Sequence, residues 1–206
     1  MLRRACAEAL NWPDPIRVAV NLSPVQFRYG ALCRAVGNAL TSTKLPARRL
    51  ELEITESVLL EKTDASLAIL NELRALGVAI SMDDFGTGYS SLSYLRSFHF
   101  DKVKIDRSFV SDLAKSESLA IVRAITDLGR SFGMTTVAEG VETVEQLRCL
   151  ENEGCSQVQG FLFSPPLPPS EIPSFITKTM AAAGSTLDAV ARRRREPVEP
   201  LRLLGA

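Results

Sequence analysis

Acidic side chains, one amide and one lysine recur in this sequence at the ends of short apolar runs. Asn21, Glu53, Asp83 with Asp84, Lys104 with Asp106, Glu139 and Gln159 each lie within or just after a stretch rich in Val, Ile and Leu. Carboxylates and an amide oxygen are hard ligands. The chain has a single histidine, His99, and four cysteines that form no CxxC pair, so the donor set suits Mg²⁺ or Mn²⁺ and suits zinc poorly. Two such ions about 3.5 to 4 Å apart can bridge a phosphodiester, lower the pKa of a bound water and stabilise the attacking and leaving oxygens together. Taken singly, an Asn or Glu at a strand end is more often a cap or a turn former. Asp83 and Asp84 are different, because two adjacent acids entering a Gly-rich loop repel one another unless cations or donors compensate, which favours a metal site. His99 reads as an ordinary loop residue and the cysteines as small packing residues.

These residues must be carried on a scaffold that brings strand ends together. Six strands are predicted: Arg17 to Leu22, Leu50 to Thr55, Val78 to Asp83, Lys102 to Asp106, Thr135 to Glu139, and Gln157 to Phe161. Segments of helical period separate them. Asp64 to Leu76 ends at Gly77, Ser118 to Phe132 at Gly133 and Thr143 to Glu153 at Gly154, as C-terminal caps require. This alternation is the mark of parallel strands joined by crossover helices. An open doubly wound sheet gathers its ligand groups mainly at one switch point, whereas a (β/α) barrel brings every strand end to one mouth. Polar residues on all six strands therefore favour the barrel. A barrel of this type needs about eight strands, so the expected fold is α/β, an incomplete TIM-type (β/α) barrel with about six of eight βα units. The missing units are expected at the front, because Leu2 to Leu10 reads as a helix that should follow a strand.

Composition sets wider bounds. The 206 residues are 46% hydrophobic, enough for one well-buried domain, expected over residues 1–182 with a charged, flexible tail over 183–206. Lys plus Arg and Asp plus Glu both number 24, so the net charge is zero and no global field favours a nucleic acid polymer or an anionic membrane. The run Arg192 to Arg195, followed by Glu196, Pro197, Glu199 and Pro200, reads as a solvated tail. No stretch approaches the roughly 20 apolar residues that span a bilayer, and the N-terminus lacks a signal-peptide apolar run. With the cysteines read as reduced, a cytoplasmic protein is expected.

Asn21-Leu22-Ser23-Pro24-Val25-Gln26-Phe27, Glu51-Leu52-Glu53-Ile54-Thr55-Glu56 and Asp83-Asp84-Phe85-Gly86-Thr87-Gly88-Tyr89-Ser90-Ser91-Leu92 closely resemble successive motifs of the EAL family of cyclic di-GMP phosphodiesterases. Asp101 to Asp106, Ala138 to Thr143 and Gln159-Gly160-Phe161 continue the series in the family's order, so the resemblance runs from about Leu2 to about Phe175. It implies metal-dependent hydrolysis of cyclic di-GMP to its linear dinucleotide at a two-metal Mg²⁺ or Mn²⁺ site. By the same resemblance Asn21, Glu53, Asp83 and Glu139 are metal ligands, with Asp84 and Asp106 contributing around the pair. Lys104 would stand beside the attacking water. Glu56 would hold the loop from Phe85 to Leu92, a loop that takes part in homodimer contacts in the family. Gln159 and Phe161 would line the mouth near a guanine base. The motif that names the family, Glu-Ala-Leu followed by Leu-Arg-Trp, has no counterpart in register. Glu8-Ala9-Leu10 occurs, but Asn11-Trp12-Pro13 follows it and it lies on the helix before the Asn21 strand, so one family ligand is missing and Glu8 is not counted. The alternative to an enzyme is a non-catalytic module that binds cyclic di-GMP or a protein.

Overall fold

A computed structural model describes residues 1–28, 30–61, 63–87 and 92–181. They fall into two compact units, Met1–Pro166 and a second beginning at Leu167. The elements of the first unit run α1 (Leu2–Ala9), β1 (Val18–Leu22), α2 (Pro24–Arg28), α3 (Leu32–Thr43), β2 (Leu50–Thr55), α4 (Ser57–Glu61), α5 (Thr63–Ala75), β3 (Ala79–Phe85), α6 (Leu92–Ser97), β4 (Lys102–Ile105), α7 (Arg107–Ser111), α8 (Ser116–Phe132), β5 (Thr135–Ala138), α9 (Val144–Asn152) and β6 (Gln157–Val158). The second unit carries a 3₁₀ turn, Pro169–Glu171, followed by helix through residue 181. The expected tail, 183–206, lies outside the described residues.

All six strands are parallel and pair in sequence order, β1-β2-β3-β4-β5-β6. Among the described residues β1 and β6 do not pair with one another, so the sheet curls as part of a (β/α) barrel without closing. This is the incomplete α/β barrel expected from the sequence.

The strands alternate, on β3 as far as Asp83. On β2, Leu50, Leu52 and Ile54 are fully buried, as are Ile80 on β3 and Val103 and Ile105 on β4; with Met82 they meet the helices in one continuous core. Residues of the opposite parity, Glu51 and Glu53, Ser81 and Asp83, Lys102 and Lys104, share the inner face of the sheet. The two-residue period of a strand therefore sorts hydrocarbon to the helical layer and charge to the interior. Register does the rest: Asn21 lies opposite Glu53, Glu53 opposite Ser81, and Thr55 opposite Asp83.

Helix ends hold the strand ends in place. Gly133 takes a left-handed φ of 69° after α8, and Met134 N donates to Gly129 O at 2.9 Å, which turns the chain directly into β5. Thr143 and Gln146 form a capping box at α9. Arg49 is buried although no motif marked it. Its guanidinium donates to the carbonyls of Ile16 (2.8 Å), Ala9 (2.8 Å) and Trp12 (3.0 Å), so it fixes the path from α1 into β1.

Two strand boundaries differ from expectation by more than one residue. β3 runs on through Phe85, with a register shift against β4 between Met82 and Phe85. The last strand stops at Val158 and not at Phe161. Beyond it, Gln159 and Gly160 are pulled against the turn after β5, where Val141 N donates to Gln159 O at 3.1 Å. A Cβ on Gly160 would stand 2.2 Å from Val141 O, an approach that only glycine permits and that ends regular pairing.

Candidate active site

The polar inner face rises to a cluster at the C-terminal ends of the strands, centred on the ammonium of Lys104. Its Nζ lies 3.0 Å from Glu53 Oε1, 2.9 Å from Asp83 Oδ1 and 2.6 Å from Glu139 Oε1. One lysine thus binds carboxylates from β2, from β3 and from the residue after β5. The side chain of Lys104 is only 7% exposed, so these contacts are made almost without water. The Asn21 amide, with its NH₂ turned toward the acids, donates to Asp83 Oδ2 and Glu53 Oε2, each at 3.2 Å. Gln159 Nε2 donates to Glu139 Oε1 at 2.9 Å. Asn21, Glu53, Asp83, Lys104, Glu139 and Gln159, all singled out in the sequence, are brought into one bonded group.

Asp84 joins this group by a backbone device. Neighbouring residues of a strand point to opposite faces, which would send Asp84 away from Asp83. Asp84 instead takes a φ of 52°, in the left-handed region that Asp and Asn enter more readily than most residues. It does so within the register shift of β3. One carboxylate oxygen each from Asp83, Asp84 and Glu139 consequently lies within 4.8 Å of the others. Asp106 caps α7, its carboxylate accepting from Ser108 N at 2.9 Å and from the Ser108 hydroxyl, and its charge is felt by Asp84.

The electrostatics follow from this crowding. Burial raises the carboxyls of Glu53 and Glu139 above the ordinary range; the Lys104 ammonium draws both back down, and the neighbouring Asp83 pushes them up again. Asp84 is raised by burial and then by the charges of Asp83 and Asp106. Burial also acts to raise Asp106, but the Ser108 hydroxyl and the amides of Ser108 and Arg107 outweigh it and hold this carboxyl low. Burial alone would lower Lys104, yet its bonds to Glu139 and Asp83 and the charge of Glu53 raise it above the usual lysine range. These contacts favour the charged form of Lys104.

The residues fit a divalent metal ion. Every donor in the cluster is oxygen or convertible to oxygen, since a half-turn of the Asn21 amide would exchange its NH₂ for its carbonyl. The carboxylates already converge on a positive charge, that of Lys104, at hydrogen-bond distance. Acids gathered this closely need cations, and hard oxygen donors select Mg²⁺ or Mn²⁺ over zinc.

The remaining predicted positions take up supporting places. Glu56 Oε1 accepts from Gly86 N at 3.0 Å, tying the turn after β2 to the loop after β3. Of that loop, Gly88 to Ser91 lie outside the described residues. Gln159 and Phe161 line a cavity of about 430 Å³ beside Glu139, together with Arg107, Glu142 and Pro165. Phe161 is 65% exposed and does not lie on a strand as predicted, because the strand has already ended. Glu8, on α1, stays outside the cluster, as its register implied. Sequence reasoning passed over Glu51, Ser81 and Lys102, which form a second polar layer on the same inner face. Their spacing of two residues before Glu53, Asp83 and Lys104 was the available signal.

Comparison with known proteins agrees with this geometry. The EAL domain model matches residues 1–166. Over 177 residues the chain is 46% identical to the bifunctional diguanylate cyclase/cyclic di-GMP phosphodiesterase MucR of Pseudomonas aeruginosa; the match covers 84% of this chain and 26% of that protein. The solved PaMucR phosphodiesterase in complex with c-di-GMP superposes with a TM-score of 0.80 at 46% identity, covering 83% of this chain and 71% of that one. The Klebsiella pneumoniae BlrP1 manganese/cy-diGMP complex matches with a TM-score of 0.74 at 34% identity, covering 80% and 43%. The chain spans about a quarter of the length of the curated relatives it matches. With the family model matched across most of its length and the strand-end cluster in place, this chain belongs to the EAL domain family.

Proposed function

We propose that this chain is a phosphodiesterase domain that hydrolyses cyclic di-GMP to the linear dinucleotide in the cytoplasm of a bacterium, using Mg²⁺ or Mn²⁺. The observation that carries the reading is the convergence of Glu53, Asp83, Glu139 and Lys104 at one mouth, 2.6 to 3.0 Å from ammonium to carboxylates. The c-di-GMP and manganese complexes of its relatives support it. In this reading Asn21, Glu53, Asp83, Asp84, Asp106 and Glu139 would hold the ions, which would supply Lewis acidity at the phosphate and compensation of its charge. Lys104, as the ammonium, would donate a hydrogen bond to the attacking water or to the phosphate oxygens. Water oxygen bonds to phosphorus, one phosphorus–ester oxygen bond breaks, and a proton passes to the departing oxygen. Gln159 and Phe161 receive a guanine base beside Glu139. Glu56 binds Gly86 at the start of the loop after β3, and we assign the Phe85 to Leu92 region to homodimer contact.

A second reading, binding without turnover, is favoured by the unclosed sheet. β1 and β6 are edge strands among the described residues, so Asn21 and Gln159 are supported by a neighbouring strand on one side only. Cyclic di-GMP presented to the chain with Mn²⁺, with binding followed by calorimetry and product by chromatography, separates the two. Linear dinucleotide formed by the chain and abolished in Asp83→Asn supports the enzyme. Binding without product supports the module, and absence of both refutes the family's activity for this chain.

A further inference from the structure

The cluster at the strand ends has a counterpart one layer deeper. Two residues earlier on β2, β3 and β4, on the same face, stand Glu51, Ser81 and Lys102, roughly 7 Å below Glu53, Asp83 and Lys104 at the usual rise of a strand. Glu51 is 3% exposed, yet it is fully engaged: Oε1 accepts from Ser81 Oγ at 2.5 Å and Oε2 lies 2.8 Å from Lys102 Nζ. Arg17 Nη1 stands 3.8 Å from the same Oε2. A cavity of about 160 Å³ is lined by both glutamates and both lysines, so the two layers border one space.

A buried ion pair is a poor source of stability, because desolvation offsets most of its attraction. Its position relative to the upper layer gives it a different use. Two lysines two residues apart on β4 face two glutamates two residues apart on β2, and a long ammonium side chain could serve either level. Pairing Lys102 with Glu51 leaves Lys104, among the described residues, as the only ammonium bonded to the upper carboxylates. We propose that Glu51 and Lys102 are positioning residues that set the affinity of the upper site for divalent cations, Glu51 acting as an anchor that keeps the Lys102 ammonium out of that site. The inference rests on the metal-binding reading given above. Released from Glu51, the Lys102 ammonium can extend through the shared cavity toward Glu53 and become a second resident cation competing with Mg²⁺ or Mn²⁺.

The test is Mn²⁺ binding by isothermal titration to the full 206-residue chain, with thermal midpoints measured alongside. The variants are Glu51→Gln, Lys102→Met and the double variant. Glu51→Gln is expected to weaken Mn²⁺ binding about tenfold, the order expected for one uncompensated charge near the ions in a partly buried site. Lys102→Met is expected to lower the thermal midpoint without weakening Mn²⁺ binding, and the double variant to return to within about twofold of the parent. A role in packing alone would weaken Mn²⁺ binding in both single variants in step with their midpoints, and that result overturns the proposal. So does unchanged affinity in Glu51→Gln. Should Glu51→Gln not fold, weakened binding in Lys102→Met or in the double variant overturns it equally. A parent chain that binds no Mn²⁺ removes the metal reading and this inference together, whereas a parent that binds with Glu51→Gln unaffected removes this inference alone.

Discussion

Replacing Lys104 by Met takes a single cation away from three buried acids, and the consequences can be worked through from the contacts. Glu53, Asp83 and Glu139 would be left facing one another with the 2.6 to 3.0 Å ammonium bonds gone, while the Asn21 and Gln159 amides and the backbone N–H of Asp84 still donate to them. Removing one partner from a buried ion pair costs roughly 3 to 5 kcal/mol. In a unit of this size each kcal/mol moves the midpoint by about 2 to 4 °C, so the metal-free Lys104→Met chain should melt roughly 6 to 20 °C below the parent. The lower end is expected in mild acid, because Glu53 and Glu139 are raised by burial and can shed their charge by protonation. Mn²⁺ should repair the variant: a ligand at 100 times its Kd contributes about 2.7 kcal/mol, and the variant site has lost its internal competitor. Thermal denaturation followed by circular dichroism, in EDTA and in Mn²⁺, reads both quantities. Equal midpoints for parent and variant in EDTA would refute the view that Lys104 neutralises the cluster. A Mn²⁺-induced rise no larger in the variant than in the parent would refute the view that lysine and metal compete for the same carboxylates.

Two further outcomes follow from the same geometry. Because Glu53 and Glu139 are raised above their ordinary value of 4.5, the metal-free folded chain holds more protons than the unfolded chain just above that pH. Stability from these groups is therefore present below 4.5 and is lost as pH rises through their folded values. Midpoints measured in EDTA from mild acid to neutrality should show this contribution, and Glu53→Gln should flatten it; an unchanged slope would count against the assignment. Gly160→Ala should lower the midpoint by the equivalent of about 1 to 3 kcal/mol or more, since the added carbon meets backbone, 2.2 Å from Val141 O. Gly37→Ala, in α3 with open space around it, should be neutral or stabilising by about 0.5 to 1 kcal/mol, so equal effects at the two glycines would contradict the close-approach argument.

The alternation of apolar runs and helical segments made the parallel α/β architecture legible, because strands buried on one face by helices must carry Leu50, Leu52 and Ile54 at every second place. The same alternation put Glu53, Asp83 and Lys104 on the other face, so a polar residue at a strand end was a reliable pointer to the site. Boundaries were less legible where tertiary contacts set them. The last strand ends early because Gly160 is pressed on the Val141 backbone, a contact between segments about 20 residues apart that no local pattern records. Arg49 and the Glu51–Lys102 pair were missed for a related reason. Each is a charged residue whose partners, the carbonyls after α1 or a lysine two strands away, become neighbours only when the sheet forms.

The left-handed backbone at Asp84 constrains how this position can vary. Two demands meet on one residue: a φ of 52°, which favours Gly, Asn or Asp, and a carboxylate short enough to stay beside Asp83 and Glu139. Each near replacement satisfies only one of them. Asn and Gly accept the backbone and surrender the charge; Glu keeps the charge, strains the backbone and carries it a methylene too far. A replacement at this position therefore gives up either the left-handed backbone or the carboxylate held beside Asp83 and Glu139.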